Sequence, residues 1–197
     1  MGHIGFFDIE TKRLFEDVDP HYQTYSWSQK ELLRCKLTPK LGMACACVLS
    51  DSGEKYEYEE AEEKALLEKL GSFDMVVGHN IVDFDYLVLQ PHDALNVLQK
   101  IGKKTLDFFQ TIKRRTRQYA SLNDLAKLNL GLAKTEDGKL VPKMWAAGEM
   151  QRVKDYCHND VKLLKELYEF GLTERKIKYY VKDYGSIVGI RELNDPW

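Results

Sequence analysis

The chain has 197 residues, 44% of them hydrophobic and 11% aromatic, which is enough for one domain with a sizeable core and excludes a disordered segment. Its formal net charge of −2 excludes a generally basic coat for nucleic acid, so any nucleic-acid site must be local. No apolar run approaches the length of a membrane span, and no signal peptide is visible. The four cysteines form no C-x-x-C pair, which favours a reduced, cytoplasmic location.

The first part of the chain predicts three strands that pair antiparallel. Residues 3–9 are short, aromatic and β-branched, as strands are. The stretch MACACVLS is the second strand, in which Cys45 and Cys47 are expected to be small core residues. After a DSG turn, EKYEYEE is the third. Residues 11–41 are expected to be a long connection with some helix near SQKELLRC.

Helices and strands alternate in the rest of the chain. A helix over 59–73 that stops at Gly71 is followed by a strand over 74–80. The next helix runs from about Asp83 toward Gln99 with an interruption at Pro91, and a short strand over 104–109 follows it. The last elements are a helix capped by Ser121 and Gly131, a helix over 148–171 that ends at Gly171, and a hairpin around DYGS. This order predicts an α/β fold with a mixed sheet, three antiparallel strands and then parallel strands, flanked by helices. We expect a main domain over 1–172 and a small C-terminal β-hairpin over 173–197.

Two acids stand where the first strand enters the core. The alternation of a strand places Phe6, Asp8 and Glu10 of FFDIETK on one face. Two carboxylates so close repel each other unless a positive charge lies between them. The alternative is that the strand ends at Asp8 and both acids face water, and these residues alone do not decide between the two.

The long helix predicts a third buried acid. Asp160 falls within the apolar stripe of that helix, where an unpartnered carboxylate costs several kcal/mol. No lysine or arginine shares the stripe, whereas Tyr156 lies one turn earlier on the same face. The alternative is a buried aspartate that caps a loop by hydrogen bonds.

A fourth acid follows the strand that ends at Asn80, in GHNIVDFDYLVL. Asp83 suits the first turn of a helix, but Asp85 flanks the apolar residues Phe84 and Val88, near a strand end where ligands of α/β sheets gather. Convergence on divalent metal would explain Asp8, Glu10, Asp85 and Asp160 together. Carboxylate ligands suit Mg²⁺ or Mn²⁺, and two such ions about 4 Å apart form the clamp used in phosphodiester hydrolysis.

Three segments in this order, FFDIETK, GHNIVDFDYLVL and YCHNDVKLL, resemble the sequence motifs of the DEDD (DnaQ-like) 3′→5′ exonucleases, which have an RNase H-like fold. The family's acids correspond to Asp8, Glu10, Asp85 and Asp160. Tyr156, four positions before the last acid, is typical of the tyrosine (DEDDy) branch, which also contains the proofreading exonuclease domains of many DNA polymerases. His158, two before that acid, fits neither branch. The segment SLNDLAKLNLG, with Lys134 and Trp145, is similar to stand-alone and helicase-associated bacterial members.

The resemblance implies a two-metal hydrolysis of single-stranded DNA or RNA from a free 3′ end, with nucleoside 5′-monophosphates as products. One ion would be held by Asp8 and Asp160 with help from Glu10, and the second by Asp8, with Asp85 acting through water. Tyr156 has a reference pKa near 10 and is a poor base at neutral pH, so it is expected to orient the attacking water.

The run TIKRRTRQY is the densest basic stretch and a candidate grip on phosphates through Lys113, Arg114, Arg115 and Arg117, with Tyr119 as a stacking platform. The alternative is a solvated helix face. By analogy, Ile9 and Thr11 beside the acids, Asn80 at a strand end and Lys134 are further candidate contacts with nucleic acid.

Other functions fit parts of the pattern. The same fold could be a catalytically silent scaffold that binds nucleic acid, although all four acids and the tyrosine are present. It could also cut internally, as an RNase H-type endonuclease does, or the acids could all be capping groups of an ordinary α/β domain. The hairpin could extend the sheet, cover an edge, or dock a helicase or repair partner. No membrane partner is expected.

Overall fold

In a computed structural model that describes residues 2–93, 96–132 and 138–197, the described strands form a mixed five-stranded sheet and a separate hairpin. The sheet has the order β3-β2-β1-β4-β5 and consists of β1 (Ile4–Thr11), β2 (Met43–Ser50), β3 (Lys55–Tyr58), β4 (Met75–Gly78) and β5 (Thr105–Asp107). β1 pairs antiparallel with β2, as β2 does with β3, whereas β4 lies parallel to β1 and β5 parallel to β4. This arrangement confirms the predicted RNase H-like α/β fold.

Helices cover both faces of the sheet. The described helices are α1 (Phe15–Val18), α2 (Trp27–Leu37), α3 (Glu63–Ser72), α4 (Asp85–Leu89), α5 (Val97–Gly102), α6 (Phe108–Thr116), α7 (Leu122–Leu130), α8 (Val141–Ala146) and α9 (Met150–Glu174). The side chains of Ser26 and Ser121 cap α2 and α7 by accepting backbone N–H groups, and Gly131 ends α7 in the left-handed region, so the predicted caps of α7 are confirmed.

Alternation along β1 divides the core into two layers. Phe6 points to one face and packs with α9, while Phe7 and Ile9 point to the other and pack with α3. β2 is buried along its whole length, because it is covered on both faces. Helix α9 lies across β1 and β2 on the Phe6 face, so any polar residue on that face of β1 meets α9.

Several predicted helix boundaries are wrong. The helix expected over 59–73 with a stop at Gly71 spans Glu63–Ser72. The helix expected from about Asp83 begins at Asp85 and does break at Pro91, where a 3₁₀ turn replaces it. The stop expected at Gly171 is not there, because α9 continues to Glu174 and ends where Arg175 turns left-handed. Gly171 is needed for packing, because a Cβ atom there would clash with the indole of Trp197.

The hairpin consists of β6 (Lys176–Asp183) and β7 (Ser186–Asn194) and does not extend the mixed sheet. It packs instead on α7 and α9 through Ile177, Tyr179 and Leu193. The side-chain amide of Asn129 on α7 substitutes for a neighbouring strand, since it donates to the Lys178 carbonyl and accepts from the Lys178 N–H at 2.7 Å. No helix in the described part of the chain is long and apolar enough to cross a membrane.

Candidate metal centre

Three of the predicted acids gather between β1 and α9. The pleat of β1 places Asp8 and Glu10 on the face that α9 covers, and Asp160 of α9 points back toward them with 4% of its surface exposed. One oxygen from each carboxylate lies within 4.8 Å of the others, a separation that one cation can bridge. The structure thus brings together residues that are 150 positions apart in the sequence.

Asp85, the fourth acid, lies against the edge of β1. The parallel ladder between β1 and β4 pairs only Ile4–Phe6, which leaves the backbone of β1 beyond that point open on this side. The Asp85 carboxylate fills the gap by accepting a hydrogen bond from the Ile9 N–H at 2.8 Å. Burial raises the pKa of Asp85 to about 8, with further contributions from the Asp107 and Asp160 carboxylates, so the acid tends to keep its proton unless a cation is near.

Sequence reasoning missed Asp107, which positions the loop that leads to Asp85. Its buried carboxylate accepts N–H groups from Asn80 at 2.9 Å, Val82 at 3.1 Å and Gln110 at 3.2 Å. Burial raises the pKa of Asp107, against the effect of these hydrogen bonds. An aspartate between a short strand and a helix is an N-cap signal that could have revealed this role.

Tyr156 is 6% exposed on the same face of α9 as Asp160, as the sequence predicts. Its hydroxyl lies beside Gly138, where a Cβ atom would be only 3.1 Å from it. Two nearby polar residues of α9 point elsewhere. Asp155 is exposed and accepts a hydrogen bond from Gln151, and His158 has its Nε2 2.6 Å from Glu57 Oε1.

Three cysteines border the acids. In the antiparallel ladder Cys45 lies opposite Glu10 and Cys47 opposite Asp8, and Cys157 of α9 completes the group. All three have 0% exposure, which confirms Cys45 and Cys47 as core residues, but their contact with the acids was not predicted. The Cys157 sulfur is 3.4 Å from the Asp8 carbonyl oxygen and 3.8 Å from Asp8 Oδ2. Hydrogen bonds with Cys157 and Cys47 lower the pKa of Cys45 to about 5, whereas burial raises that of Cys157.

The basic run lies on α6 and just beyond it. Lys113 is placed over two aromatic rings, 5.8 Å from that of Phe109 and 5.2 Å from that of Tyr119, which is half exposed. Arg114 and Arg117 are exposed. Arg115 has a structural partner, because its guanidinium donates to the carbonyls of Asn194 and Asp195.

The remaining candidate contacts differ in accessibility. Ile9 is buried in the opposite layer of the core, and Thr11 is 9% exposed and donates its hydroxyl hydrogen to the Arg13 carbonyl. Asn80 has a left-handed backbone, with φ at 66°, and its side-chain oxygen is buried. Lys134 lies outside the described residues.

A cavity of about 250 Å³ opens beside the end of β1. The stacked rings of Phe15 and Tyr22, whose centroids are 4.7 Å apart, contribute to its wall, together with Phe84 from the loop before Asp85. Arg13 and Lys139 supply positive charge to the same wall. The wall of the cavity therefore combines flat rings with the cations Arg13 and Lys139 and the Glu16 carboxylate.

No family model matches the chain, and no curated protein matches it. Among solved structures, the fold is similar to that of the family B DNA polymerase from the hyperthermophilic archaeon Pyrobaculum calidifontis, with a TM-score of 0.61 and 13% sequence identity. The similarity covers 87% of this chain and 25% of the polymerase chain, so this chain corresponds to about a quarter of that protein. At this identity the likeness defines the fold and leaves the chemistry to the residues.

Proposed function

We propose that this protein is a metal-dependent 3′→5′ exonuclease that hydrolyses single-stranded DNA or RNA to nucleoside 5′-monophosphates. The observation that carries the proposal is the convergence of Asp8, Glu10 and Asp160 within 4.8 Å, with Asp85 held against the same strand. The similar polymerase supports it, because the exonuclease branch that the sequence resembles includes proofreading domains of DNA polymerases.

The donor set fits two hard divalent cations. All the predicted ligands are carboxylate oxygens, which suit Mg²⁺ or Mn²⁺, and the raised pKa of Asp85 indicates that negative charge here needs a cation for balance. Asp8 would be shared by both ions, Asp160 and Glu10 would complete one, and Asp85 would reach the other through water. Such ions would make a water molecule more acidic and offset the charge that develops on the leaving 3′ oxygen.

Tyr156 is suited to orienting the attacking water. It lies one turn before Asp160 on the same buried face, so its hydroxyl and the Asp160 carboxylate are directed to the same region. A phenol with a reference pKa near 10 holds its proton at neutral pH and acts as a hydrogen-bond donor. Glu10 is the second group placed to orient that water.

The surroundings supply a path for a single strand. The cavity next to Thr11 presents Phe15, Tyr22 and Phe84, and flat rings of this kind stack on bases without regard to sequence. On α6 and just beyond it, Lys113, Arg114 and Arg117 add positive charge near the exposed ring of Tyr119. We propose that the 3′-terminal nucleotide occupies the cavity and that α6 contacts phosphates upstream.

The test is digestion of matched 3′-labelled DNA and RNA oligonucleotides with Mg²⁺ or Mn²⁺. We expect labelled mononucleotides from the wild-type protein and none from Asp8→Asn. In the loop of the second motif, Asp85→Asn should lose activity, whereas the control Asp83→Asn should keep it, because the Asp83 carboxylate is engaged with Gln110. Oligomeric products would indicate an endonuclease, and no product under any condition would indicate a silent binding module. Either result contradicts the proposal.

A further inference from the structure

A second group of ligand atoms lies beside the acids and differs from them in chemistry. The sulfur atoms of Cys45, Cys47 and Cys157 all lie within 4.8 Å of one another, between β2 and α9. The strand alternation places the first two on one face, and the packing of α9 brings the third onto it. The fourth cysteine of the chain, Cys35, is exposed on α2 and takes no part.

The spacing is close to that of a thiolate metal site. With metal–sulfur bonds of about 2.3 Å, sulfur atoms around one zinc ion stand roughly 4 Å apart. The sulfur–sulfur distances, which are at most 4.8 Å, would shorten to this value if each sulfur moved by less than about 1 Å. A fourth donor is at hand, because Asp8 Oδ2 is 3.8 Å from the Cys157 sulfur.

We propose that Cys45, Cys47 and Cys157, with the Asp8 carboxylate as fourth ligand, form a site for one thiophilic divalent cation of the zinc and cadmium class. Soft sulfur ligands select these ions, whereas the carboxylate cluster selects hard ones. The two sites are distinct in their ligands and share Asp8. A metal bound to the thiols would engage Asp8 Oδ2 and so compete with the carboxylate site for this ligand.

Polar side chains connect the thiols to the surface. The strand register places Asp8, Cys47 and Glu57 in one row across β1, β2 and β3. At the outer end of the row the Glu57 side chain is 37% exposed and lies 2.6 Å from His158 Nε2. Both groups can bind divalent cations, and an incoming ion would displace the Lys154 ammonium, which lies 3.7 Å from Glu57 Oε2.

The test uses Cd²⁺ alone, added to the reduced, metal-free protein of 197 residues without nucleic acid. We expect ultraviolet thiolate-to-cadmium absorption that saturates at one equivalent, and a rise in Tm, because an ion that binds the folded state stabilises it. Cys45→Ala, Cys47→Ala and Cys157→Ala should each weaken binding at least about tenfold. The control Cys35→Ser should bind as the wild type does.

Several results would overturn the site. They are absence of the absorption in the wild-type protein, a fall in Tm with Cd²⁺, unchanged binding in the three alanine variants, and loss of binding in Cys35→Ser. The wild-type and Cys35 arms do not depend on how well the core variants fold. Near-ultraviolet circular dichroism of each alanine variant separates loss of a ligand from loss of the fold.

A second consequence rests on the proposed nuclease function. Because Asp8 is shared, Zn²⁺ should inhibit the Mg²⁺-dependent nuclease, and Cys157→Ala, assayed against its own Mg²⁺ activity, should be inhibited only at higher Zn²⁺. Cd²⁺ binding in a protein without nuclease activity would reject the function and keep the site. Nuclease activity in a protein that binds no Cd²⁺ would support the proposed function and reject the thiol metal site.

Discussion

The carboxylate cluster and the thiol cluster face each other across two paired strands, yet they interact with the fold in opposite ways. Asp8 and Glu10 are half-buried at the solvent-accessible edge of the core. The residues opposite them in the ladder, Cys47 and Cys45 respectively, are fully buried. The acids cost folding free energy through repulsion and desolvation, whereas the thiols are fully buried and hydrogen-bonded to one another. The acids of the site and the thiols of the core are therefore neighbours on one strand pair.

The largest expected effect comes from the acid on α9. Asp160→Asn should lower kcat by about a thousandfold, because it removes a metal ligand whose loss is worth several kcal/mol in the transition state. Asp155→Asn on the same helix is the matched control, since Asp155 is exposed and turned away from the site. Initial rates on a 3′-labelled oligonucleotide provide the measurement. An equal fall in kcat in the two variants would show that Asp160 contributes no more to catalysis than an exposed residue of α9.

A smaller loss is expected for the tyrosine. Tyr156→Phe keeps the ring in the core and removes only the hydroxyl, so kcat should fall roughly tenfold to a hundredfold, as for one hydrogen bond to a charged or reacting group, with KM little changed. Tyr168→Phe, on the same helix and packed against Phe6, is the control. A change in KM alone would show that the hydroxyl contacts substrate instead of the attacking water.

Thermal stability distinguishes the carboxylate of Asp85 from the thiol of Cys157. In the metal-free protein the pKa of Asp85 is about 8, against 3.8 for an ordinary aspartate, so this residue stabilises the fold below about pH 4 and loses that contribution as pH rises toward 8. Asp85→Asn removes this loss and can still accept the Ile9 N–H. Its Tm in the presence of a chelator should exceed that of the wild type at about pH 8 and approach it toward about pH 4.

Cys157→Ala should act in the opposite direction, because it leaves a small cavity and lowers Tm across the pH range. The same thermal melts measure both variants. An Asp85→Asn protein that is no more stable than the wild type at the higher pH would show that the carboxylate is already balanced by a partner in the folded chain.

The smallest effects concern the exposed cations near α6. Arg114→Ala should weaken binding of a single strand and reduce the salt dependence of that binding by roughly one charge. Arg115→Ala should mainly lower Tm, since its guanidinium holds the carbonyls of Asn194 and Asp195. Affinity at several salt concentrations together with thermal melts separates the two arginines, and identical behaviour would mean that both are plain surface charges.

Local patterns were sufficient for much of the fold. Alternation and turn residues predicted β1, β2 and β3, and capping residues predicted the ends of α7, because these signals depend on neighbours in the sequence. The position of Asp160 in an apolar stripe was informative for the same reason. The facing acids Asp8 and Glu10 follow from the period of the strand alone.

Long-range features could not be predicted in this way. The contact of Cys157 with Cys45 and Cys47 depends on how α9 lies over β2, and their position beside the acids depends on the register between β1 and β2, neither of which is encoded locally. Gly171 resembles a helix stop until Trp197 is known to occupy the space beside it. Asp107 was missed although its N-cap signal was present, because its contacts with Asn80 and Val82 join segments that are far apart in the sequence.

The indole of Trp197 joins three parts of the molecule: it lies in the notch left by Gly171, stacks on Phe108 with 4.2 Å between ring centroids, and donates its N–H to the Tyr168 carbonyl. The hairpin, α6 and the helix that carries Asp160 are thus tied at one point. Their amide protons should exchange with deuterium in a single cooperative event, at the rate of global opening and not as separate fraying segments.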